Sequence, residues 1–236
     1  MDLGIKGKVA LVTGGSRGLG RQSALALAAE GVNVAICARG EERLNQTADE
    51  LRATGINVGA YVADLGDETE TAALSSNVEA DLGPIDILVN NAGIIHPRIN
   101  LVDFDFELWR NVVAVNLEAV ALLTALCLPS MMERNYGKVI NISSIGGRKG
   151  SKGRSAYRAT KAALISLTES VAAETKPYGI DVNCICPGGV DTEGYREAFR
   201  MRGKIDDPSL MAPGEIAKLA VYLASDDSSS VTGTAI

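Results

Sequence analysis

Three observations predict an α/β fold built on a doubly wound parallel sheet. Six short runs of apolar and β-branched residues recur along the 236 residues, longer amphipathic segments separate them, and glycine or proline follows most of these segments. Nearly continuous apolar strands that alternate with helices imply parallel pairing, with helices on both faces of the sheet and right-handed crossovers. Because the chain shows no internal repeat, low-complexity segment or linker, residues 1–236 are predicted to form one domain.

The predicted elements follow the order of these runs. The predicted strands are V-A-L-V-T at 9–13, V-N-V-A-I-C-A at 32–38, V-G-A-Y-V-A at 58–63, I-D-I-L-V-N at 85–90, K-V-I-N-I-S at 138–143 and I-D-V-N-C-I-C at 180–186. The predicted helices cover 18–30, 41–54, 67–82, 105–133, 155–176 and 214–225. Glycine and proline end helices: Gly31 follows the first, Gly55 the second, Gly83 and Pro84 the third, and Pro177 and Gly179 the fifth.

Composition narrows the classes of function. With 46% apolar and 22% charged residues, the chain has the balance of a soluble globular enzyme. Its net charge of −6 gives no electrostatic reason to expect a nucleic-acid partner. No apolar run approaches the ~20 residues of a membrane span, and the N-terminal M-D-L-G-I-K-G-K leads into a strand without a signal peptide. We therefore expect a cytoplasmic protein with neither a nucleic-acid nor a membrane partner.

The cysteines and the single histidine argue against a metal site. Cys37, Cys184 and Cys186 lie in apolar strand-like runs and Cys127 lies in a helical one. No C-x-x-C or H-E-x-x-H pattern is present, so we expect core thiols and no metal. His96 follows the N-N-A-G segment and is predicted to be a loop histidine, with substrate contact as the alternative.

A glycine-rich turn, T-G-G-S-R-G-L-G at 13–20, follows the first strand and opens the first helix. Glycines let the backbone approach a pyrophosphate, and the helix N-terminus supplies amide donors and a favourable dipole. The spacing is G-x-x-x-G-x-G rather than the general G-x-G-x-x-G, so an ordinary tight turn is the alternative. The candidate phosphate-binding residues are Gly14, Ser16, Arg17, Gly18, Leu19 and Gly20.

The end of the second strand predicts which nicotinamide cofactor binds. An enzyme that uses NAD carries an acidic residue there for the ribose 2′-hydroxyl, whereas this chain reads Ala38-Arg39. An arginine pairs bidentately with a 2′-phosphate that a carboxylate would repel, and Arg17 can approach the same phosphate. We expect NADP (NADPH); the alternative is that both arginines are surface cations.

Tyr157 and Lys161 stand four residues apart in S-A-Y-R-A-T-K, and Ser144 lies thirteen residues before Tyr157. On a helix this spacing places the phenol and the ammonium on one face. A tyrosine hydroxyl ordinarily titrates near ~10, and a neighbouring ammonium lowers its pKa by favouring the phenolate. Tyr157 would then exchange a proton with a carbonyl or alcohol oxygen. The alternative is a helix with a solvated lysine and a half-buried tyrosine.

The other strand ends carry turn residues at the sheet edge where doubly wound folds bind ligands. The third strand ends in A-D-L at 63–65, the fourth in N-N-A-G at 90–93, the fifth in S-S at 143–144 and the sixth in P-G-G-V-D-T at 187–192.

Together, T-G-x-x-x-G-x-G, N-N-A-G, the asparagine of A-V-N-L, I-S-S, Y-x-x-x-K and P-G-x-x-x-T resemble, in order, the motifs of the short-chain dehydrogenase/reductase family. The resemblance covers essentially the whole chain and implies a Rossmann-type sheet and a catalytic tetrad. In that tetrad Tyr157 is the general acid/base, and Lys161 lowers its pKa and binds the nicotinamide ribose. Ser144 orients the substrate oxygen, and Asn116 holds a water that links Lys161 to solvent.

The resemblance also implies an assembly and a set of cofactor contacts. The family's usual tetramer packs through two long helices, here 105–133 and 155–176, so we expect a homotetramer or homodimer. The implied contacts are Asp64 and Leu65 at the adenine, Asn91, Ala92 and Gly93 at the adenosine ribose and nicotinamide side, and Val190 and Thr192 at the carboxamide, beside Pro187 and Gly188.

The implied reaction is hydride transfer between the nicotinamide and a small-molecule ketone or secondary alcohol, with ketone reduction the expected direction. One alternative is a 3-oxoacyl-(acyl carrier protein) reductase. Its basic carrier-docking positions align here with Asn135 and Tyr178, although Arg134 lies next to the first. A remote alternative is a non-catalytic NADP-binding sensor.

Two basic segments favour an anionic substrate, such as a sugar acid, keto acid or acyl thioester. A cationic rim would concentrate an anion and pair with its carboxylate or phosphate; the alternative is solvated surface charge. The loop before Tyr157 carries Arg148, Lys149, Lys152 and Arg154, and the predicted substrate lid at 192–213 adds Arg196, Arg200, Arg202 and Lys204 against Glu193, Glu197, Asp206 and Asp207.

Overall fold

Six strands lie side by side in one parallel sheet in the computed structural model, which describes residues 2–199 and 207–236. Their order across the sheet is β3-β2-β1-β4-β5-β6, which confirms the predicted α/β fold. Each predicted strand matches an observed one to within two residues at either end. The strands are β1 (Val9–Thr13), β2 (Asn33–Ala38), β3 (Val58–Val62), β4 (Ile87–Asn90), β5 (Gly137–Ile142) and β6 (Ile180–Ile185).

The six predicted helices are also present, and positive φ angles at Gly31 (79°) and Gly55 (87°) end the first two helices as expected. The long helix predicted at 105–133 is divided by a π-helical segment, Ala114–Glu118, and a short helix after β6 was not predicted. The helices are α1 (Gly18–Ala29), α2 (Glu41–Arg52), α3 (Glu68–Leu82), α4 (Phe106–Val113), α5 (Ala119–Arg134), α6 (Ser155–Thr175), α7 (Glu193–Ala198) and α8 (Pro213–Ala224).

The sheet has an apolar core on each face, which explains why its strands read as unbroken apolar runs. In β1, Ala10 and Val12 join the cluster that α1, α2 and α8 cover. Leu11 points to the opposite face and joins the cluster that α3, α5 and α6 cover. Each fully buried Leu, Ile or Val contributes about 1.5–3 kcal/mol, so this two-sided burial holds the strand ends that carry the site.

The helical stretch from Phe106 to Arg134 corrects one expectation. By length and composition it is long and apolar enough to cross a membrane, with a mean hydropathy of 2.0 over its most apolar window. The prediction that no apolar run approaches a span is wrong by this measure. The stretch is nevertheless weak evidence for a membrane protein, because a core helix of an α/β sheet passes the same test, and α5 supplies Leu123, Cys127 and Met131 to the core.

Candidate active site

A cavity of about 680 Å³ lies outside the carboxyl ends of the strands. The strand order reverses between β1 and β4, and doubly wound sheets bind their ligands at that reversal. Every predicted cofactor residue lines this cavity except Gly20, and Ser144 lines it as well. The residues are Gly14, Ser16, Arg17, Gly18, Leu19, Arg39, Asp64, Leu65, Asn91, Ala92, Gly93, Ser144, Tyr157, Lys161, Pro187, Gly188, Val190 and Thr192.

The glycine-rich turn forms the floor of the cavity because its glycines leave the backbone uncovered. Gly14 has a φ of 66°, and a Cβ there would lie 3.0 Å from the Asn91 amide nitrogen. A Cβ on Gly20 would lie 2.3 Å from the Gly14 carbonyl oxygen, so Gly20 permits close packing behind the wall instead of contacting a ligand. The turn and the start of α1, which has no side-chain cap, can therefore hold a pyrophosphate on backbone N–H groups.

Asn91 holds the turn against the end of β4. Its amide nitrogen donates to the Thr13 carbonyl oxygen at 2.8 Å, and its backbone N–H donates to the Thr13 hydroxyl at 2.9 Å. The Ala92 N–H donates to the same hydroxyl at 3.0 Å. These bonds explain why the N-N-A-G segment and the turn, 78 residues apart, form one wall of the cavity.

The two arginines predicted at the 2′-phosphate differ in their surroundings. Arg39 is exposed at the end of β2 and lines the cavity. Arg17 also lines the cavity and pairs with Glu197 of α7 at 2.9 Å and with Glu193 at 3.8 Å. Glu193 also pairs with Arg43 at 2.5 Å. Arg17 is therefore partly neutralised, which leaves Arg39 as the stronger candidate for a phosphate.

Asp64 and Leu65 stand at the end of β3 beside the same region. The Asp64 carboxylate accepts the Gly66 N–H at 2.9 Å, so it is held in a tight turn. Leu65 is buried and presents an apolar surface next to this carboxylate. An apolar surface beside a hydrogen-bond acceptor suits an adenine ring, which is flat and carries an amino donor.

Three of the four predicted catalytic side chains meet on one wall. Ser144 follows β5, and its hydroxyl accepts the Gly146 N–H at 2.9 Å. Tyr157 and Lys161 lie one turn apart on α6, as the spacing predicts. The Lys161 ammonium is buried, donates to the Ile142 carbonyl oxygen at 2.7 Å, and lies 5.9 Å from the centre of the Tyr157 ring.

The pKa of Tyr157 responds to its burial and to the groups around its hydroxyl. Burial raises the pKa of Tyr157, and the hydrogen bond with Ser144 and the positive charges of Arg154 and Arg158 oppose that rise. That Lys161 lowers the pKa of Tyr157 stays a prediction; its ammonium donates to the Ile142 carbonyl oxygen. Burial lowers the pKa of Lys161 itself to about 8. Ser144 and the two arginines therefore act on the pKa of Tyr157 in the direction that was predicted for Lys161.

Asn116 lies behind this wall and does not line the cavity. It is fully buried in the π-helical segment, a kind of helix distortion found often at functional sites. Its carbonyl oxygen accepts the Ile94 N–H at 2.7 Å, and its amide nitrogen donates to the Ile94 carbonyl oxygen at 3.1 Å. A Cβ on Gly93 would lie 3.4 Å from both the Asn116 oxygen and the Lys161 nitrogen, so both side chains face the same point.

The segment after β6 closes the site opposite the tyrosine. Pro187 accepts the Ile145 N–H at 2.9 Å, which joins this segment to the loop that carries Ser144. Val190 forms an isolated bridge with Met211. The Thr192 hydroxyl accepts the Tyr195 N–H at 3.1 Å and caps α7. The segment is thus fixed to the strand ends on one side and to the lid on the other.

Among the described residues, part of the predicted cationic rim is engaged in hydrogen bonds and an ion pair. Arg154 is buried, and its guanidinium donates to the His96 and Ala198 carbonyl oxygens. Arg148 donates to the Ala235 carbonyl oxygen, and Arg196 pairs bidentately with Asp191 at 2.7 Å. Of the predicted basic residues that the structure describes, Arg148, Lys149 and Lys152 are exposed. Arg200, Arg202, Lys204 and Asp206 lie outside the described residues.

Sequence reasoning missed His96 as part of the site. Its ring is buried and contacts the backbone of Tyr157, whereas the prediction offered only a loop residue or a substrate contact. No sequence signal links residues 96 and 157, which are brought together by the crossover of α4 and α5. Among the described residues no three His, Cys, Asp or Glu side chains are placed to hold a metal. Cys37, Cys127 and Cys184 are buried and Cys186 is half-buried, all as free thiols.

Comparison with known proteins gives consistent results. A family model described as short chain dehydrogenase matches residues 8–203. The chain is 39% identical over 235 residues to acetoacetyl-CoA reductase of Rhizobium meliloti (strain 1021), covering 97% of this chain and 95% of the relative. It is 36% identical over 235 residues to 3-oxoacyl-[acyl-carrier-protein] reductase FabG of Staphylococcus aureus (strain Mu50 / ATCC 700699), with the same coverage.

Two solved structures have closely similar folds. Levodione reductase superposes with a TM-score of 0.91 at 31% identity, covering 98% of this chain and 96% of the other. NAD⁺-bound xylitol dehydrogenase superposes with a TM-score of 0.91 at 28% identity, covering 98% and 97%. The similarity extends over nearly the whole chain in each case.

Proposed function

The chain belongs to the short-chain dehydrogenase family, and from that premise we propose that it is an NADP-dependent oxidoreductase acting on a ketone or secondary alcohol. The observation that carries the proposal is the shared wall formed by Ser144, Tyr157 and Lys161 beside the glycine-rich floor. A dinucleotide fits this cavity because the backbone N–H groups of the glycine-rich turn and of the uncapped start of α1 can hold its pyrophosphate. When bound, the nicotinamide supplies or accepts the hydride.

In the proposed mechanism, the protein's residues move the proton that accompanies the hydride. Tyr157 donates its hydroxyl proton to the carbonyl oxygen during reduction and takes it back from the alcohol during oxidation. Ser144 donates a hydrogen bond to the same oxygen and stabilises its developing charge. Lys161 holds a positive charge next to the wall, and Asn116 fixes the Ile94 backbone on which that wall rests.

The test of this role is a tyrosine substitution with a matched control. Tyr157→Phe removes only the proton-transfer group, so we expect NADPH to bind within about twofold of the wild-type dissociation constant while turnover falls by at least a thousandfold. Tyr178→Phe changes an exposed tyrosine beyond α6 and should leave turnover unchanged. Substantial turnover by Tyr157→Phe would remove the assignment of the tetrad. Turnover by the wild-type protein also excludes a purely cofactor-sensing role.

The preference for NADP is supported by Arg39 alone among the two predicted arginines. Arg39 is exposed and lines the cavity, and the residue before it is Ala38 instead of an acidic residue that would repel a 2′-phosphate. Arg39→Ala should weaken NADPH binding by the ~1.5–3 kcal/mol of a charge-assisted bond, or about 10- to 150-fold, and leave NADH binding unchanged. Arg52→Ala, an exposed change at the far end of α2, is the control. Equal dissociation constants of the wild-type protein for NADPH and NADH would overturn the preference.

A 3-oxoacyl thioester is the second candidate substrate, because two of the relatives described above are named for acetoacetyl-CoA and 3-oxoacyl-(acyl carrier protein) reduction. Carrier-protein docking has less support than a free thioester. The Arg134 guanidinium is held by Asp86 and by the Ile85 carbonyl oxygen, and Asn135 and Tyr178 are uncharged. NADPH oxidation with acetoacetyl-CoA, a 3-oxoacyl carrier protein and neutral ketones of matched size separates these possibilities.

Selection for an anion is a further proposal, and its support among the described residues is the exposed Arg148, Lys149 and Lys152. If it holds, keto acids should have a higher kcat/KM than neutral analogues, and the advantage should shrink with added salt. Equal values without salt dependence would count against it.

We also propose a homotetramer or homodimer in the cytoplasm. The assembly would pack through α5 and α6, and the most apolar window of the stretch Phe106–Arg134, with a mean hydropathy of 2.0, is only 39% buried; subunit interfaces bury apolar surface of this kind. Sedimentation equilibrium would show a single monomeric species if this part were wrong.

A further inference from the structure

His96 occupies a closed environment behind the catalytic wall. Its side chain lies in the loop after β4, and the residue is only 1% exposed. One ring nitrogen, Nδ1, lies 2.6 Å from the Pro97 carbonyl oxygen. The Phe104 ring packs edge-on against the imidazole, with 4.8 Å between ring centres. A buried imidazole with both a polar and an aromatic contact has a fixed orientation.

The second ring nitrogen completes the start of α6. The first four N–H groups of an α-helix have no partner within the helix, and Arg154, the N-cap of α6, offers no side-chain cap. The Tyr157 N–H is one of these four, and it donates to His96 Nε2 at 3.3 Å. Because the Pro97 carbonyl only accepts, the imidazole proton lies on Nδ1, and Nε2 is free to accept. His96 therefore caps α6 at the catalytic tyrosine from a distant part of the chain.

The backbone of His96 is fixed as firmly as its ring. The Arg154 guanidinium donates to the His96 carbonyl oxygen and to the Ala198 carbonyl oxygen at 3.2 Å. It also lies 4.7 Å from the centre of the Phe199 ring. The histidine is thus held between the first turn of α6 and the end of α7. Its ring therefore accepts the Tyr157 N–H from a fixed position.

We propose that His96 is a positioning residue that fixes the first turn of α6 and with it the reach of the Tyr157 hydroxyl toward Ser144 and the substrate oxygen. The proposal rests on the proposed role of Tyr157 as the proton-transfer group. A general acid must lie within ~2.6–3.2 Å of the atom that it protonates, and a displacement of about 1 Å costs up to about a hundredfold in rate. An unheld first turn allows such a displacement, because no other side chain among the described residues caps α6 at Tyr157.

Two substitutions separate the hydrogen bond from the packing. His96→Phe keeps a ring against Phe104 but has no acceptor, and His96→Gln places an amide oxygen near the position of Nε2. We expect His96→Phe to lower kcat about tenfold, with the KM for the ketone and the dissociation constant of NADPH within about twofold of wild type. His96→Gln should recover kcat to within about threefold of wild type. A merely structural role would not give this recovery or this separation of kcat from KM.

The pH profile supplies a readout that does not depend on the folding of His96→Phe. A proton on Nε2 would convert the acceptor into a donor facing the Tyr157 N–H, so turnover should fall on the acid side. Burial and the nearby Arg154 charge lower the pKa of His96 below 6.5, although the Pro97 carbonyl opposes them. The groups that face the ring region are Arg154 and Tyr157 from α6 and Arg98 from the same loop. The wild-type acid limb should therefore lie below pH 6.5, and His96→Gln should lack it.

Several outcomes decide the proposal. Wild-type kcat in His96→Phe, or an acid limb that persists unchanged in His96→Gln, overturns it. Loss of activity in His96→Gln equal to that in His96→Phe overturns it as well, provided that thermal scans show both variants folded. Turnover by Tyr157→Phe would instead refute the proposed function, so the two failures are distinguishable.

Discussion

Replacing Lys161 with methionine should make the protein more stable while it removes activity. The side chain is 4% exposed, and burial lowers its pKa from 10.5 to about 8. At pH 7 the ammonium is still charged in the folded protein, so folding must bury that charge. By linkage, a lowering of this size corresponds to about 3 kcal/mol of destabilisation. Methionine fills a similar volume without a charge.

The hydrogen bond from Lys161 to the Ile142 carbonyl oxygen reduces the expected gain. Its loss costs about 1–2 kcal/mol, which leaves a net stabilisation of about 1–2 kcal/mol for Lys161→Met. In a chain of 236 residues this raises the midpoint of thermal unfolding by about 2–8 °C. Turnover should fall below detection, since the charge beside Tyr157 and the proposed ribose contact are both lost.

The stability advantage of Lys161→Met over wild type should depend on pH. Below pH 8 both the folded and the unfolded chain hold the lysine proton, so the advantage of Lys161→Met is constant. Between pH 8 and 10.5 the unfolded chain binds more protons than the folded one, so the wild-type stability rises with pH relative to the variant. The advantage of the variant should therefore shrink across this window.

Thermal scans at pH 7 and near pH 10, without added cofactor, test this reasoning. Lys218→Met, a change at an exposed lysine of α8, is the control and should show neither the stabilisation nor its loss at high pH. If Lys161→Met melts below wild type at pH 7, or keeps its full advantage near pH 10, the argument that the buried ammonium is costly is refuted.

Two further predictions concern packing around the cavity. Gly20→Ala should destabilise the protein by about 1–3 kcal/mol and weaken NADPH binding, because its Cβ would lie 2.3 Å from the Gly14 carbonyl oxygen. The control is Gly188→Ala, whose Cβ would meet nothing within 4 Å. In thermal scans this control should unfold at the wild-type temperature. Arg154→Met should lower kcat/KM for neutral and anionic ketones equally, because this buried guanidinium holds backbone carbonyls. If the exposed lysines select an anion, Lys152→Met should lower kcat/KM for anionic ketones alone. A loss confined to anions in Arg154→Met would show that Arg154 also belongs to the predicted cationic rim.

The strands and most helices could be predicted from the sequence because their signals are local. An apolar run such as 180–186 requires burial on both faces, and glycines such as Gly31 end helices wherever they occur. The short helix α7 was missed because its six residues, E-G-Y-R-E-A, are too few to show a helical period. The π-helical segment was missed because its residues are ordinary helix formers, and the distortion arises where Asn116 binds the Ile94 backbone.

The same distinction between local signals and contacts of distant residues applies to the site. The sequence by itself determined which residues reach the carboxyl edge of the sheet, since each motif follows a strand and parallel strands end at one edge. Only the tertiary structure decided that the Lys161 ammonium faces Ile142, that Arg17 pairs with Glu197, and that His96 caps α6. These outcomes depend on distances between side chains far apart in the chain. Charge pairing and pKa respond to such distances within a few ångströms, and residue order does not encode them.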